Sequence, residues 1–207
     1  MNSVEEITVW SETKSGGKVV ERFESTTTQV DLSDRRIFTT DLSPLRPLDN
    51  MEVLTLAGNE LGMIDLSPLV ENSSLLELSL NGNMLEQVDL QPLGGCTSLM
   101  YLDLSFNRLK QIDLSPLGKC PDFQTLHLYE NKLESLDLSP LGKCKKLRQL
   151  SLKLNEISVV DLSPLFSCSN IKKMTFDGDV TLVASSEHKT KDMPPALHTV
   201  RGMIEWK

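Results

Sequence analysis

Four cysteines, three histidines and a column of aspartates are the residues of this chain best suited to chemistry. Cys96, Cys120, Cys144 and Cys168 stand 24 residues apart, with Asn72 and Leu48 at the earlier equivalents. An exposed thiolate beside a base is a nucleophile, and paired thiols close a disulfide or hold zinc. Zinc ligands, however, usually come two to four residues apart, and disulfide frameworks are irregularly spaced. These cysteines instead occupy an apolar position just after a Pro-containing turn. The spacing therefore predicts reduced thiols packed as small hydrophobes, with disulfides and a metal site as the alternatives. No metal site is expected.

Asp41, Asp65, Asp89, Asp113, Asp137 and Asp161 each open the stretch Asp-Leu-(Ser or Gln)-Pro-Leu, again at intervals of 24. Six stacked like charges need an offset: solvent screening, hydrogen bonds to backbone amides of the following turn, or calcium. Each unit supplies one carboxylate and no glycine-rich loop, which favours a structural role over calcium. His127 lies one period after Asp103, where the two could form an acid–base pair across neighbouring strands. His188 and His198 are scattered towards the end. GxGxxG, GxxxxGK[ST], CxxC and HExxH are all missing from the sequence. Neither an enzyme nor a bound cofactor is expected.

All of these residues are placed by one repeating element. Leu99 to Leu109 reads LxxLxLxxNxL, and the pattern returns at Met51–Leu61, Leu75–Leu85, Phe123–Leu133 and Leu147–Ile157. Thr27 to Ile37 keeps Val30 and Leu32 but has Arg35 for the asparagine. The stretch from Ile171 has Asp179 there. Alternation in Leu102-Asp103-Leu104 predicts a short strand with leucines inward. Strands that recur on one side of a coil run parallel, about 4.7–4.9 Å apart. Asn59, Asn83, Asn107, Asn131 and Asn155 then form a column, each able to bond the turn of its own and the next unit. The Ser-Pro pair predicts a helical turn on the far side, with serine as N-cap and proline in the first helical position.

The pattern resembles the leucine-rich repeat family, with five full repeats and two degenerate ones over roughly residues 27–180. The resemblance implies an α/β solenoid, curved, with a parallel sheet on its concave side and short helical turns on the convex side. Most members of the family bind other proteins. A solenoid also needs its end repeats covered. Residues 1–26, with Ile7-Thr8-Val9-Trp10 and Val19-Val20-Glu21-Arg22-Phe23 around a Lys-Ser-Gly-Gly-Lys turn, predict an N-terminal β-hairpin cap. The solenoid spans 27–180, and 181–207 forms a C-terminal cap, with a strand at Val180–Ala184 and a polar loop at Ser185–Met193.

With 207 residues and 39% hydrophobic content, the chain can bury one continuous elongated core. No apolar run approaches the ~18 residues of a membrane-spanning helix. The start, from Met1 to Glu6, lacks the basic and apolar regions of a secretory leader, and with the reduced cysteines this predicts a cytoplasmic location. Residues 1–103 carry 17 acidic and 6 basic side chains, while residues 104–207 carry 12 and 15. That imbalance orients a charged partner during encounter, and a net charge of −8 disfavours nucleic acid as the ligand.

Residues between the inward leucines face the concave side. In the first repeats they are small and bland; in the middle they include Tyr101, Asp103, Phe106, His127, Tyr129, Glu130 and Lys153. Both tyrosines of the chain fall in this patch, and aromatic anchors ringed by polar groups mark interface centres. The expected function is a monomeric, non-catalytic protein–protein interaction module, an adaptor or a regulatory subunit. The alternative is a peptide or small-ligand receptor using the same patch.

Overall fold

A computed structural model describes residues 5–190 and 192–207. Residues 1–4, which belong to the expected N-terminal cap, lie outside the described residues, as does Lys191 of the expected polar loop. The strands are β1 (Glu6–Thr13), β2 (Lys18–Glu24), β3 (Gln29–Asp31), β4 (Ile37–Thr40), β5 (Val53–Thr55), β6 (Glu77–Ser79) and β7 (Tyr101–Asp103). They continue with β8 (Thr125–His127), β9 (Gln149–Ser151), β10 (Val159–Asp161), β11 (Lys173–Thr175), β12 (Thr181–Ala184) and β13 (Ile204–Trp206).

The main sheet is parallel and seven-stranded, in the order β11-β9-β8-β7-β6-β5-β3. Every pair is in register at one repeat: Leu54 faces Leu78, Leu78 faces Leu102, and Leu102 faces Leu126. The fold is therefore the expected α/β leucine-rich repeat solenoid, and its far side carries 3-10 turns at each Ser-Pro-Leu or Gln-Pro-Leu. Leucines fill the interior in columns, such as Leu56, Leu80, Leu104 and Leu128, all fully buried.

The side chain that starts each 3-10 turn is the aspartate, not the serine. Asp113 Oδ1 accepts the Ser115 N–H at 2.8 Å, and Asp41, Asp65, Asp89, Asp137 and Asp161 do the same two residues on. Serine makes no side-chain cap bond, and it occupies the first turn position itself. Proline lacks an N–H, and Leu117 N–H already donates to the Leu114 carbonyl, so the serine amide is the donor left to satisfy. This bonding explains the acidic column. Hydroxyl and amide bonds from the following serine hold Asp41, Asp65, Asp113 and Asp137 below the usual carboxylate value of 3.8.

The asparagine side chains bond their own repeat and the preceding one, rather than the next. Asn107 Oδ1 accepts from Leu85 N–H at 3.0 Å, while Nδ2 donates to the carbonyls of Leu80, Leu104 and Ser105. The cysteines are free and fully buried. Each thiol also faces a carbonyl of the preceding repeat, as Cys96 Sγ does that of Leu69 at 3.3 Å, so the column is a hydrogen-bonded ladder as well as apolar filling. Burial pushes the thiols of Cys96 and Cys144 up to about 12 and that of Cys120 to about 11, the wrong direction for a nucleophile.

Both ends turn the segment before Asp-Leu-Ser-Pro-Leu into a strand, because a cap strand is there to pair with it. At the start β4 pairs antiparallel with β1, which pairs antiparallel with β2. At the other end β10 pairs with β12 and β12 with β13, both parallel. No helix among the described residues is long and apolar enough to cross a membrane.

Candidate functional site

Short strands with inward leucines leave the alternate side chains facing outward in columns. One column runs through Val53, Glu77, Tyr101, Thr125, Gln149 and Lys173, and the next through Thr55, Ser79, Asp103, His127, Ser151 and Thr175. Tyr101 and His127 meet edge to face, with ring centroids 5.5 Å apart. The Tyr101 hydroxyl donates to Asp103 Oδ2 at 3.1 Å. Burial and the Asp103 charge push its phenol up to about 12.

Asp103 and His127 are directly opposite in register, yet they do not form the acid–base pair considered above. Asp103 is committed to the Tyr101 hydroxyl and the Ser105 amide, and His127 Nδ1 lies 3.1 Å from Ser151 Oγ. Burial holds the His127 imidazole below its usual 6.5, with Lys173 acting in the same direction and Asp103 opposing. The ring is therefore neutral near neutral pH.

Phe106 and Tyr129 make a second edge-to-face pair, at 5.1 Å. Phe106 is 48% exposed and does not bury itself over the asparagine column. Its backbone is left-handed (φ 56°), as it is at Glu130 (φ 54°) and Leu154 (φ 61°). The same turn position holds Asp34 (φ 56°) in the first repeat and Gly58 (φ 66°) and Gly82 (φ 67°) in the two that follow it. At Gly58 a Cβ would come within 2.0 Å of Asp34 Oδ1, the end of an exposed side chain that would have to turn aside. A side chain at this position carries strain of about 1–2 kcal/mol.

Lys153 completes the group of residues singled out above. With Asp103, Phe106, His127 and Tyr129 it lines a shallow concavity of about 370 Å³. Tyr101 borders it through His127, and Glu130 stands exposed on the turn after Tyr129. Gln149 and Lys173 also line it and were not singled out from the sequence. Their signal was available, since both continue the column of Tyr101 at multiples of the repeat. Cross-strand pairing does not absorb the charges: none of the ion pairs among the described residues involves Asp103, Glu130, Lys153 or Lys173. Elsewhere Lys146 pairs with Asp122, and Lys145 Nζ donates to the Gly142 carbonyl.

The family profile for the leucine rich repeat matches residues 49–109. The chain has the leucine-rich repeat fold. Among solved structures of the same fold it is similar to internalin C2 of Listeria monocytogenes, at 32% identity over 66% of this chain and a TM-score of 0.54. An internalin F of the same organism shares the fold at 24% identity over 78% of this chain, with a TM-score of 0.57. A plant peptide hormone receptor solved with its hormone shares it at 22% identity over 79%, with a TM-score of 0.65. The chain spans 56% and 50% of the two internalins' length and 26% of the receptor's. No curated protein matches it.

Proposed function

We propose that the chain is a non-catalytic interaction module, an adaptor or a regulatory subunit, which binds a protein partner on its concave face. The partner seats on Tyr101, Asp103, Phe106, His127, Tyr129, Glu130 and Lys153. The observation that carries this reading is Phe106: an exposed aromatic ring kept at a left-handed turn position where two earlier repeats use glycine. Neither burial nor backbone preference favours a phenylalanine there, so its use lies in contact. Lys153 and Lys173 flank the aromatic pair and suit a partner that offers carboxylates beside an apolar side chain. The buried reduced thiols support the cytoplasmic location expected from the sequence.

The concavity supports a second reading, a receptor for a short peptide or small ligand. The test is a native pull-down with the unmodified chain and with the double change Tyr101→Ala, Tyr129→Ala. Loss of the captured protein with little change in melting temperature supports the module. A ligand lost on dialysis that raises the melting temperature when restored supports the receptor. Undiminished capture by the double variant refutes both uses of the patch.

A further inference from the structure

The N-terminal cap ends in an open strand edge. In the order β2-β1-β4, β4 belongs to the first coil, so β2 lies two strands beyond it at the end of the solenoid. Among the described residues no strand pairs with the outer edge of β2. The hairpin register shows which groups are free. Thr13 N–H donates to Gly17 and Ser25 N–H to Glu5, each at 2.8 Å, so the odd-numbered residues of β2 bond to β1. The peptide groups of Lys18, Val20, Arg22 and Glu24 therefore point away from the molecule, apart from the Glu24 carbonyl, which accepts from Thr27 N–H.

A natural edge of this kind is usually blocked by its charges. Here the charges are self-complementary. Two copies of β2 can pair antiparallel about a two-fold axis in three registers that bring at least three of the four outward residues together. Centred on Val20, the pairing sets Lys18 against Arg22; centred on Arg22, it sets that residue against itself. Centred on Glu21, it sets Lys18 against Glu24 and Val20 against Arg22, and Val19 against Phe23 on the inner face. Like charges directly opposite are destabilising and opposite charges stabilising, so the third register is selected.

Its one like-charged pair is Glu21 against itself, and each copy already carries the neutralising partner: Arg35 Nε donates to Glu21 Oε1 at 2.6 Å. The outer face contributes as well. Trp10 and Val20 are opposite in register and exposed, at 56% and 38%. The aliphatic stem of Arg22 from the second copy would lie over Val20.

We propose that β2 pairs with β2 of a second copy in the register centred on Glu21, giving an end-to-end dimer with one six-stranded cap sheet and both concave faces free. This departs from the monomer expected on sequence grounds. It is independent of what the concave face binds.

The test is sedimentation equilibrium of the full chain over a range of concentrations. Lys18→Glu sets like charges opposite each other at both ends of the ladder and should weaken self-association by about tenfold or more. Adding Glu24→Lys to it restores opposite charges and should restore the dimer. Lys18 and Glu24 are exposed, so both variants should fold, which circular dichroism checks. A monomer at every concentration, a dimer indifferent to Lys18→Glu, or no recovery in the double variant would overturn the proposal.

Discussion

Replacing Phe106 tests whether the concave patch is held against the preferences of the backbone. With φ at 56°, any side chain at this position meets the left-handed penalty of about 1–2 kcal/mol, which glycine escapes. Glycine returns about 0.4–1 kcal/mol of that through the greater freedom of its unfolded chain. Phe106→Ala and Phe106→Gly both lose the edge contact with Tyr129, so that loss cancels between them. Phe106→Gly should therefore be the more stable of the two by about 1 kcal/mol. In a chain of this size that is a difference of about 2–4 °C in melting temperature. At Arg108, outside the left-handed region, the usual order should hold, with alanine above glycine by about 0.4–1 kcal/mol. Thermal and urea unfolding of the four variants measures both comparisons. Phe106→Ala as stable as Phe106→Gly would refute the strain argument, and with it the reason for reading Phe106 as a contact residue.

Asn107→Ala should cost about 1–3 kcal/mol in urea unfolding, because the buried Leu85 amide loses its partner, while the Leu80 and Leu104 carbonyls each keep one donor, from Asn83 and Asn131. Arg108→Ala should change stability by less than about 0.5 kcal/mol, and equal effects would mean that the inward and outward faces are misplaced. Acid should weaken the convex turns. The folded-state pKa values of Asp41, Asp65, Asp113 and Asp137 lie below the unfolded value, so the unfolded chain takes up protons first. Their contribution is complete above 3.8 and is lost as pH falls through and below it. Melting temperatures followed down to about pH 2 should fall less steeply in Asp113→Asn, whose amide oxygen accepts the same Ser115 N–H without titrating. An unchanged slope would remove the aspartate from the account.

Much of this was legible in the sequence because the repeat makes each position a column. The period alone predicts coils in register, inward leucines and buried cysteines. Direction and competition were not legible. An asparagine amide suits a turn on either side, and only the coil's geometry sends Asn107 back to Leu80 and Leu85. Asp-Leu-Ser-Pro offers two capping side chains, and the amide that needs a partner is found only once proline's missing donor and the Leu117–Leu114 bond are counted. For the concave patch, residue types showed where the aromatics cluster. The left-handed backbone of Phe106, Glu130 and Leu154 has no signature in residue type except the glycines it replaces.

Hydroxyl-radical footprinting of the full chain, alone and with its captured partner, tests the concave-face claim most directly, since the side chains it oxidises best are those in question. Modification of Phe106, Tyr101 and Tyr129 should fall on binding, while Met63 and Met203, exposed at 71% and 52%, stay unchanged as internal controls. Protection of Met63 or Trp206 with Phe106 and Tyr129 still fully reactive would contradict the account and move the binding surface off the concave sheet.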